Sequence, residues 1–483
     1  MSVQITISVW LFIFLIAVTV WAILDRVLIP STRWFLRRRI NRVIDEIGNR
    51  LDIQIKPFQL TKRQVLIDRL VYDPKVIEII QERAVEKNCP REVVQAEIVS
   101  YAKEIVPSFN AYVYFRIGYW LAKKIAKLMY WVRIGLLNNE QFESIDPEAT
   151  VVFVMNHRSN IDYILVAFLA AEKTALSYAV GEWARIWPLQ TLIRAMGAYF
   201  VRRKSGNPVY RRVLERYIYM ATREGVCQAV FPEGGLSRDG CMQAPKLGIF
   251  DYMLRNFEPD RDRDIVFIPV GINYDRTLED RSLLRELDPE APQRSKWFAV
   301  KTTFRFILRS LTLMMISRWQ RFGYACVNFG PKISVRDYCN DAGVDISKMA
   351  RDLRFSEIKK LADALMGEVR NVIPVLPISL VACVMKDCGE QGLSAFEVES
   401  RVKRLIEDLQ AAGAPVYVDM QSQVESVLNA LSMLTLRRLV VESNGIYKAV
   451  AEEVDLLSYY ANSIAHWIQP ESLATRNCVW FVK

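Results

Sequence analysis

From residue 150 onward, short β-type runs alternate with helical stretches, and this alternation narrows the possible folds more than any other feature of the chain. VVFVM (151–155), GAYFV (197–201), CQAVF (227–231), IVFIPVGI (265–272) and YACVNFG (324–330) are rich in branched and aromatic residues and have strand length. Between them, NPVYRRVLERYIYMATREG (207–225) has Pro near its start and Gly at its end, the punctuation of a helix. Parallel neighbours need crossover connections, which helices supply. The expectation is therefore an α/β domain over residues 141–345 with a mostly parallel sheet.

Both flanks read as helical. In residues 31–140, PREVVQAEIVSYAKEIV (90–106) carries an early Pro and apolar positions near the helical period. In residues 346–483, RFSEIKKLADALMGEV, AFEVESRVKRLIEDLQAAG and SQVESVLNALSML share that period and are closed by Gly or Pro. YVYFRIGYWLAKKIAKLMYWVRIGLL (112–137) admits two readings, an interfacial helix with snorkelling cations or a core helix with a basic solvent face.

Residues 1–30 read as a transmembrane anchor. TISVWLFIFLIAVTVWAIL is uncharged and about the ~20-residue length that spans a bilayer core. Arg26, Arg33, Arg37, Arg38, Arg39 and Arg42 follow it, with no cation before it. That asymmetry places the rest of the chain in the cytoplasm, on the inner face of the cell membrane. A cleavable signal peptide fits less well, because a basic start and a small-residue cleavage site are missing.

Composition bears on partners. A formal net charge of +10 with 51% hydrophobic residues suits anionic partners such as phosphorylated metabolites, acidic carriers or lipid headgroups. The eight cysteines form no C-x-x-C and there are only two histidines, so no zinc module fits.

MNHRSNIDYILV (155–166) is a polar knot between apolar runs. A strand that ends in a polar loop and opens a helix is a common place for a site. His157 and Asp162 are five apart, off a common helical face. They can pair only if His157 lies in the turn and Asp162 in the first helical turns. Asp162 would then orient the imidazole, leaving His157 as a general base. The competing reading is a capped helix start, with Ser159 or Asn160 as cap and His157 as a loop residue.

Three later clusters add chemistry. GAYFVRR (197–203) ends in Arg202 and Arg203, which can grip a phosphate or form a solvated charge pair. In FPEGGLSRDG (231–240), Glu233 can accept from a substrate hydroxyl and two glycines let backbone approach a ligand. Ser237 and Arg238 follow, Arg238 as a phosphate binder, and Lys246 can add a cation. The plain alternative is a Gly-Gly turn with a surface acid. VFIPVGINYDR (266–276) is an apolar strand broken by Pro269, suited to walling an acyl pocket or to an edge position.

In order, NHRSNID, GAYFVRR, FPEGGLSRDG and FIPVGINYDR resemble the four motif blocks of the glycerolipid acyltransferases. The longer stretches HRSNIDYILVAF, GAYFVRRKSGNPVYRRVLERYI, APKLGIFDYML and PVGINYDRTLED resemble the branch acting on glycerol-3-phosphate or dihydroxyacetone phosphate. YYANSIAHW (459–467), which holds the second histidine, resembles it too. The resemblance implies acyl transfer from acyl-CoA or acyl carrier protein to the sn-1 hydroxyl of a phosphorylated three-carbon acceptor. No metal, bound cofactor or nucleic acid is implied, and membrane lipids are expected partners.

It further implies that His157 takes the hydroxyl proton and Asp162 orients it. Arg202, Arg203 and Arg238 would hold the phosphate. Glu233 and Gly234 would position the hydroxyls, with Ser237 beside them, and Pro269 would line the thioester pocket. The loop or helix start after His157 is the expected source of oxyanion donors. Many members carry Arg where this chain has Leu236, which bears on the identity of the acceptor. Lysophosphatidic acid or dihydroxyacetone phosphate is the alternative acceptor, and a catalytically silent scaffold is the alternative class. A serine hydrolase is disfavoured because there is no G-x-S-x-G.

Overall fold

A computed structural model describes residues 56–135, 142–170, 174–181, 189–202, 205–288, 321–418 and 422–468, together with position 19. The central sheet contains β1 (Trp131–Ile134), β2 (Thr150–Met155), β3 (Ser177–Val180), β4 (Tyr199–Phe200), β5 (Gln228–Val230), β6 (Ile265–Tyr274), β7 (Tyr324–Phe329) and β8 (Ile333–Ser334). Across the sheet the order is β1-β7-β6-β2-β5-β3-β4, with β8 also on β6. β2 lies parallel to β6 and β5, and β3 parallel to β5 and β4.

The expected fold needs two corrections. The sheet is mixed, because β7 and β8 both pair antiparallel with β6. The transmembrane helix is also withdrawn: among the described residues no helix is long and apolar enough to cross a membrane. The longest of them, Arg351–Asn371, has the length but carries charges throughout. The stretch expected to form the anchor, residues 1–30, lies outside the described residues apart from position 19.

Alternation along the strands builds two cores. Val152 and Val154 of β2 and Phe267 of β6 face one core, with Val94 and Ile98 of the helix Arg91–Ile105, Val213 and Tyr217 of the helix Pro208–Arg223, and Leu361 and Leu365 of Arg351–Asn371. Phe153 and Met155 of β2 and Ile268, Val270 and Ile272 of β6 face the other, with Leu165 of the helix Ile161–Ala170. β6 is buried along its whole length, which explains its nearly unbroken apolar sequence. Asn207 opens Pro208–Arg223 as a cap, accepting from the Val209 and Tyr210 N–H groups, with Pro208 just inside.

Pro269 is opposite Val154 in this buried strand. On the other edge of β6, β8 pairs at 266–267 and β7 begins at 270, so the missing Pro N–H falls near the hand-over between two partners. Its carbonyl accepts from Gly330 N–H at 2.8 Å.

The C-terminal region has its own core, from the helices Pro377–Lys386, Ala395–Ala411, Gln423–Leu436 and Val454–Asn462. It also carries a small antiparallel sheet, β10 (Val440–Ser443), β11 (Ile446–Ala449) and β9 (Leu393–Ser394), in the order β10-β11-β9. The connection into this region runs tight against the central sheet. Asn328 Nδ2 donates to Val372 O and Asn273 Nδ2 to Pro374 O. A Cβ on Gly271 would lie 2.4 Å from Val372 O, so only glycine allows this approach.

Candidate active site

The polar knot lies where β2 ends and the helix Ile161–Ala170 begins. Asn156 continues the strand chemistry with its side chain, donating from Nδ2 to Ile272 O and accepting from Ile272 N–H. The loop is thereby pinned to β6. His157 Nδ1 lies 2.9 Å from Asp162 Oδ2. Asp162, in the first helical turn, also accepts from the Arg158 N–H at 2.7 Å and the Ser159 N–H at 3.0 Å. Its other oxygen accepts from the Tyr274 hydroxyl at 2.6 Å. With Nδ1 donating to the carboxylate, Nε2 carries the imidazole lone pair. Nε2 has no hydrogen-bond partner among the described residues. The ring is buried, stacked on Phe231 at 4.1 Å and edge-on to Tyr163 at 5.4 Å.

Glu233 reaches the same loop from the end of β5. One carboxylate oxygen accepts from His157 N–H at 2.9 Å and the other from Gln243 N–H at 2.9 Å. Burial pushes this carboxyl up to about 7, against the lowering effect of the two N–H donors and of Arg158. Ser237 N–H donates to His157 O, and its hydroxyl donates to Cys241 O at 2.7 Å. Gly234 turns the chain at φ +69° with Lys246 against it.

Neither Arg202 nor Arg238 is free to join this group. The guanidinium of Arg202 forks onto Glu104 at 2.9 and 2.6 Å and lies over Tyr101 and Tyr210. Arg238 pairs with Glu286 at 3.2 Å, both exposed. Arg203 lies outside the described residues. Pro269 is in the body of β6. Leu236, the departure noted in the sequence, packs against the C-terminal core.

The loop offers no oxyanion donor in this arrangement. Glu233 takes the His157 N–H, Asp162 takes those of Arg158 and Ser159, and Glu279 takes that of Asn160 at 3.3 Å. Glu279 also accepts from the Ser159 hydroxyl at 2.7 Å, and burial raises its carboxyl.

Tyr274, Glu279, Asn156 and Arg158 are the site residues that sequence reasoning did not assign. Tyr274 and Glu279 stand in PVGINYDRTLED, but no spacing rule connects them to a loop more than a hundred positions earlier. His466 Nε2 lies 3.0 Å from Arg370 O, and burial holds its imidazole down to about 3.

Residues 137–273 match the Acyltransferase family, and residues 311–477 match the Glycerol-3-phosphate acyltransferase C-terminal region. The glycerol-3-phosphate acyltransferase of Pseudomonas putida (strain KT2440) is 31% identical over 347 residues, covering 69% of this chain and 40% of the relative. The glycerol-3-phosphate acyltransferase of Pseudoalteromonas atlantica is 25% identical over 424 residues, 84% of this chain and 50% of that protein.

The chain belongs to the glycerolipid acyltransferase family.

It spans half or less of the length of these curated relatives. A crystal structure of the 1-acyl-sn-glycerophosphate acyltransferase of Thermotoga maritima aligns at 13% identity and a TM-score of 0.30, over 52% of this chain and 78% of that one. That likeness is too weak to bear on this family member's site.

Proposed function

We propose that the chain transfers a fatty acyl group from a thioester, acyl-CoA or acyl carrier protein, to the sn-1 hydroxyl of glycerol-3-phosphate. The observation that carries this reading is the buried His157–Asp162 pair, which leaves Nε2 without a partner. His157 Nε2 takes the acceptor hydroxyl proton as that oxygen bonds to the thioester carbonyl carbon. The tetrahedral adduct collapses, the C–S bond breaks, and the departing thiolate takes the proton back from His157. Asp162 holds the ring and stabilises its charged form, and Tyr274 holds Asp162. The names of the relatives support glycerol-3-phosphate as the acceptor.

A membrane surface is the natural place to release an acylated product. Ile117, Trp120, Leu128 and Trp131 are exposed, as are Lys124 and Lys127, a mixture suited to the headgroup region. No cysteine among the described residues is in a disulfide, in keeping with the cytoplasmic side.

The test offers palmitoyl-CoA and palmitoyl-acyl carrier protein separately, each with glycerol-3-phosphate, dihydroxyacetone phosphate or lysophosphatidic acid. Preferred acylation of glycerol-3-phosphate is the expected result. Preference for lysophosphatidic acid would retain the chemistry and replace the acceptor. No transfer by folded protein would leave a silent scaffold.

A further inference from the structure

Arg158, immediately after the base, is 4% exposed, yet among the described residues no carboxylate forms an ion pair with it. Nη1 donates to Gly240 O, and the guanidinium lies 5.0 Å over the Tyr459 ring. Nε and Nη2 are buried without a hydrogen-bond partner among the described residues. Burying a guanidinium without a paired carboxylate is costly, and the nearby Glu233 carboxyl and an aromatic face offset only part of that. Both nitrogens belong to a residue lining a narrow cavity between the Glu233–Met242 loop and the C-terminal region, with Ser237, Ser463 and His466 also in its walls. Of the other ionisable groups there, Glu233 is already held by two backbone N–H groups.

Resting on the acyl-transfer reading, we propose that this cavity is an anion subsite in which Arg158 receives the phosphate monoester of the acceptor. The free guanidinium edge presents two N–H donors, the fork that phosphate oxygens match. Ser463 and Ser237 line the same wall, their hydroxyls donating to Tyr460 O and Cys241 O, so the guanidinium is the donor on which the subsite rests. The cavity is tight as it stands, so a phosphate enters by parting the Cys241–Met242 segment from Ile373 and His466. This assigns the C-terminal region a direct part in acceptor binding. It also removes the need for Arg202 and Arg238, which are engaged by Glu104 and Glu286.

The test is titration calorimetry on the full chain with sn-glycerol 3-phosphate, coenzyme A and glycerol as separate probes. Arg158→Lys keeps the charge and a donor for Gly240 O but loses the fork. It is expected to weaken glycerol-3-phosphate binding at least ~10-fold, leave coenzyme A binding unchanged, and show no response to glycerol. Unchanged glycerol-3-phosphate affinity, or loss of coenzyme A affinity instead, overturns the proposal. Because the variant can fold poorly, hydrogen exchange on the wild type is a second measurement. Glycerol-3-phosphate is expected to protect the amides of 237–242 and 459–466, and protection confined to peptides around Arg202 or Arg238 overturns the assignment. Binding is read without turnover, so the two readings fail separately. Acyl transfer with Arg158-independent binding sinks only the subsite. Arg158-dependent binding without transfer sinks only the enzyme activity.

Discussion

Tyr274 donates its hydroxyl to Asp162 at 2.6 Å, so it acts through the carboxylate as a positioning residue. Tyr274→Phe keeps the ring in the core and loses one hydrogen bond to a charged group, worth ~1.5–3 kcal/mol. The expected result is a kcat reduced roughly 10- to 100-fold, with KM for both substrates unchanged. A change in KM alone would move Tyr274 into substrate binding. Glu233 gives a pH signature. Its carboxyl is raised to about 7 in the folded protein, above the ordinary range near 4.5. A raised folded value means its contribution to stability is fully present below about pH 4.5 and lost as pH rises through about 7. Across that window the wild type is therefore expected to lose roughly 3 kcal/mol more than Glu233→Gln, in which the raised Asp275 and Glu279 carboxyls remain. Equal slopes would show that Glu233 does not titrate there. At this scale the pairing of His157 with Asp162 was legible, because a turn followed by a helix start was the only way to join them. The rest of the network was not, since Tyr274 on Asp162, Glu279 on Ser159 and Asn160, and Gln243 on Glu233 arrive from distant segments through sheet register and loop geometry.

Among the elements, the strands with unbroken branched and aromatic runs were legible: VVFVM, CQAVF, IVFIPVGI and YACVNFG all coincide with strands. β1 and β3 were not. WVRI follows directly on a helix that ends at Met129, and Tyr130 alone makes the break, in an extended conformation. SYAV is four residues long and lacks alternation, so its pairing with β5 decides it. Antiparallel pairing at β6 was equally hidden, because a fully buried strand reads the same in either direction. Gly240 shows an element-level constraint. It sits at φ +88°, and a Cβ there would lie 1.9 Å from Tyr459 O. Gly240→Ala is expected to push the helix Val454–Asn462 off the Glu233–Met242 loop and cost more than ~2 kcal/mol. Thermal denaturation with hydrogen exchange over 454–462 reads it, and wild-type protection in the variant would contradict the contact.

For the whole molecule, the C-terminal region is part of the site's support. Asn462 Nδ2 donates to Asp239 O at 2.9 Å, and Asn273 Nδ2 reaches Ser463 Oγ at 3.2 Å. Asp280, buried just after Glu279, is engaged by both Arg437 and the Tyr460 hydroxyl. Arg437→Met would strand that carboxylate, and a loss of ~3–5 kcal/mol in chemical denaturation is expected. A loss below ~1 kcal/mol would mean that water replaces the partner. YYANSIAHW was visible as a motif, but its seat against the loops of the α/β domain depended on tertiary contacts that no period encodes. The most direct test of the account is the rate of glycerol-3-phosphate acylation by the wild type and by His157→Ala. Product from the wild type that falls at least ~100-fold in a folded variant is the expected result. Equal rates in the two proteins would contradict His157 as the base, and with it the chemistry assigned to this site.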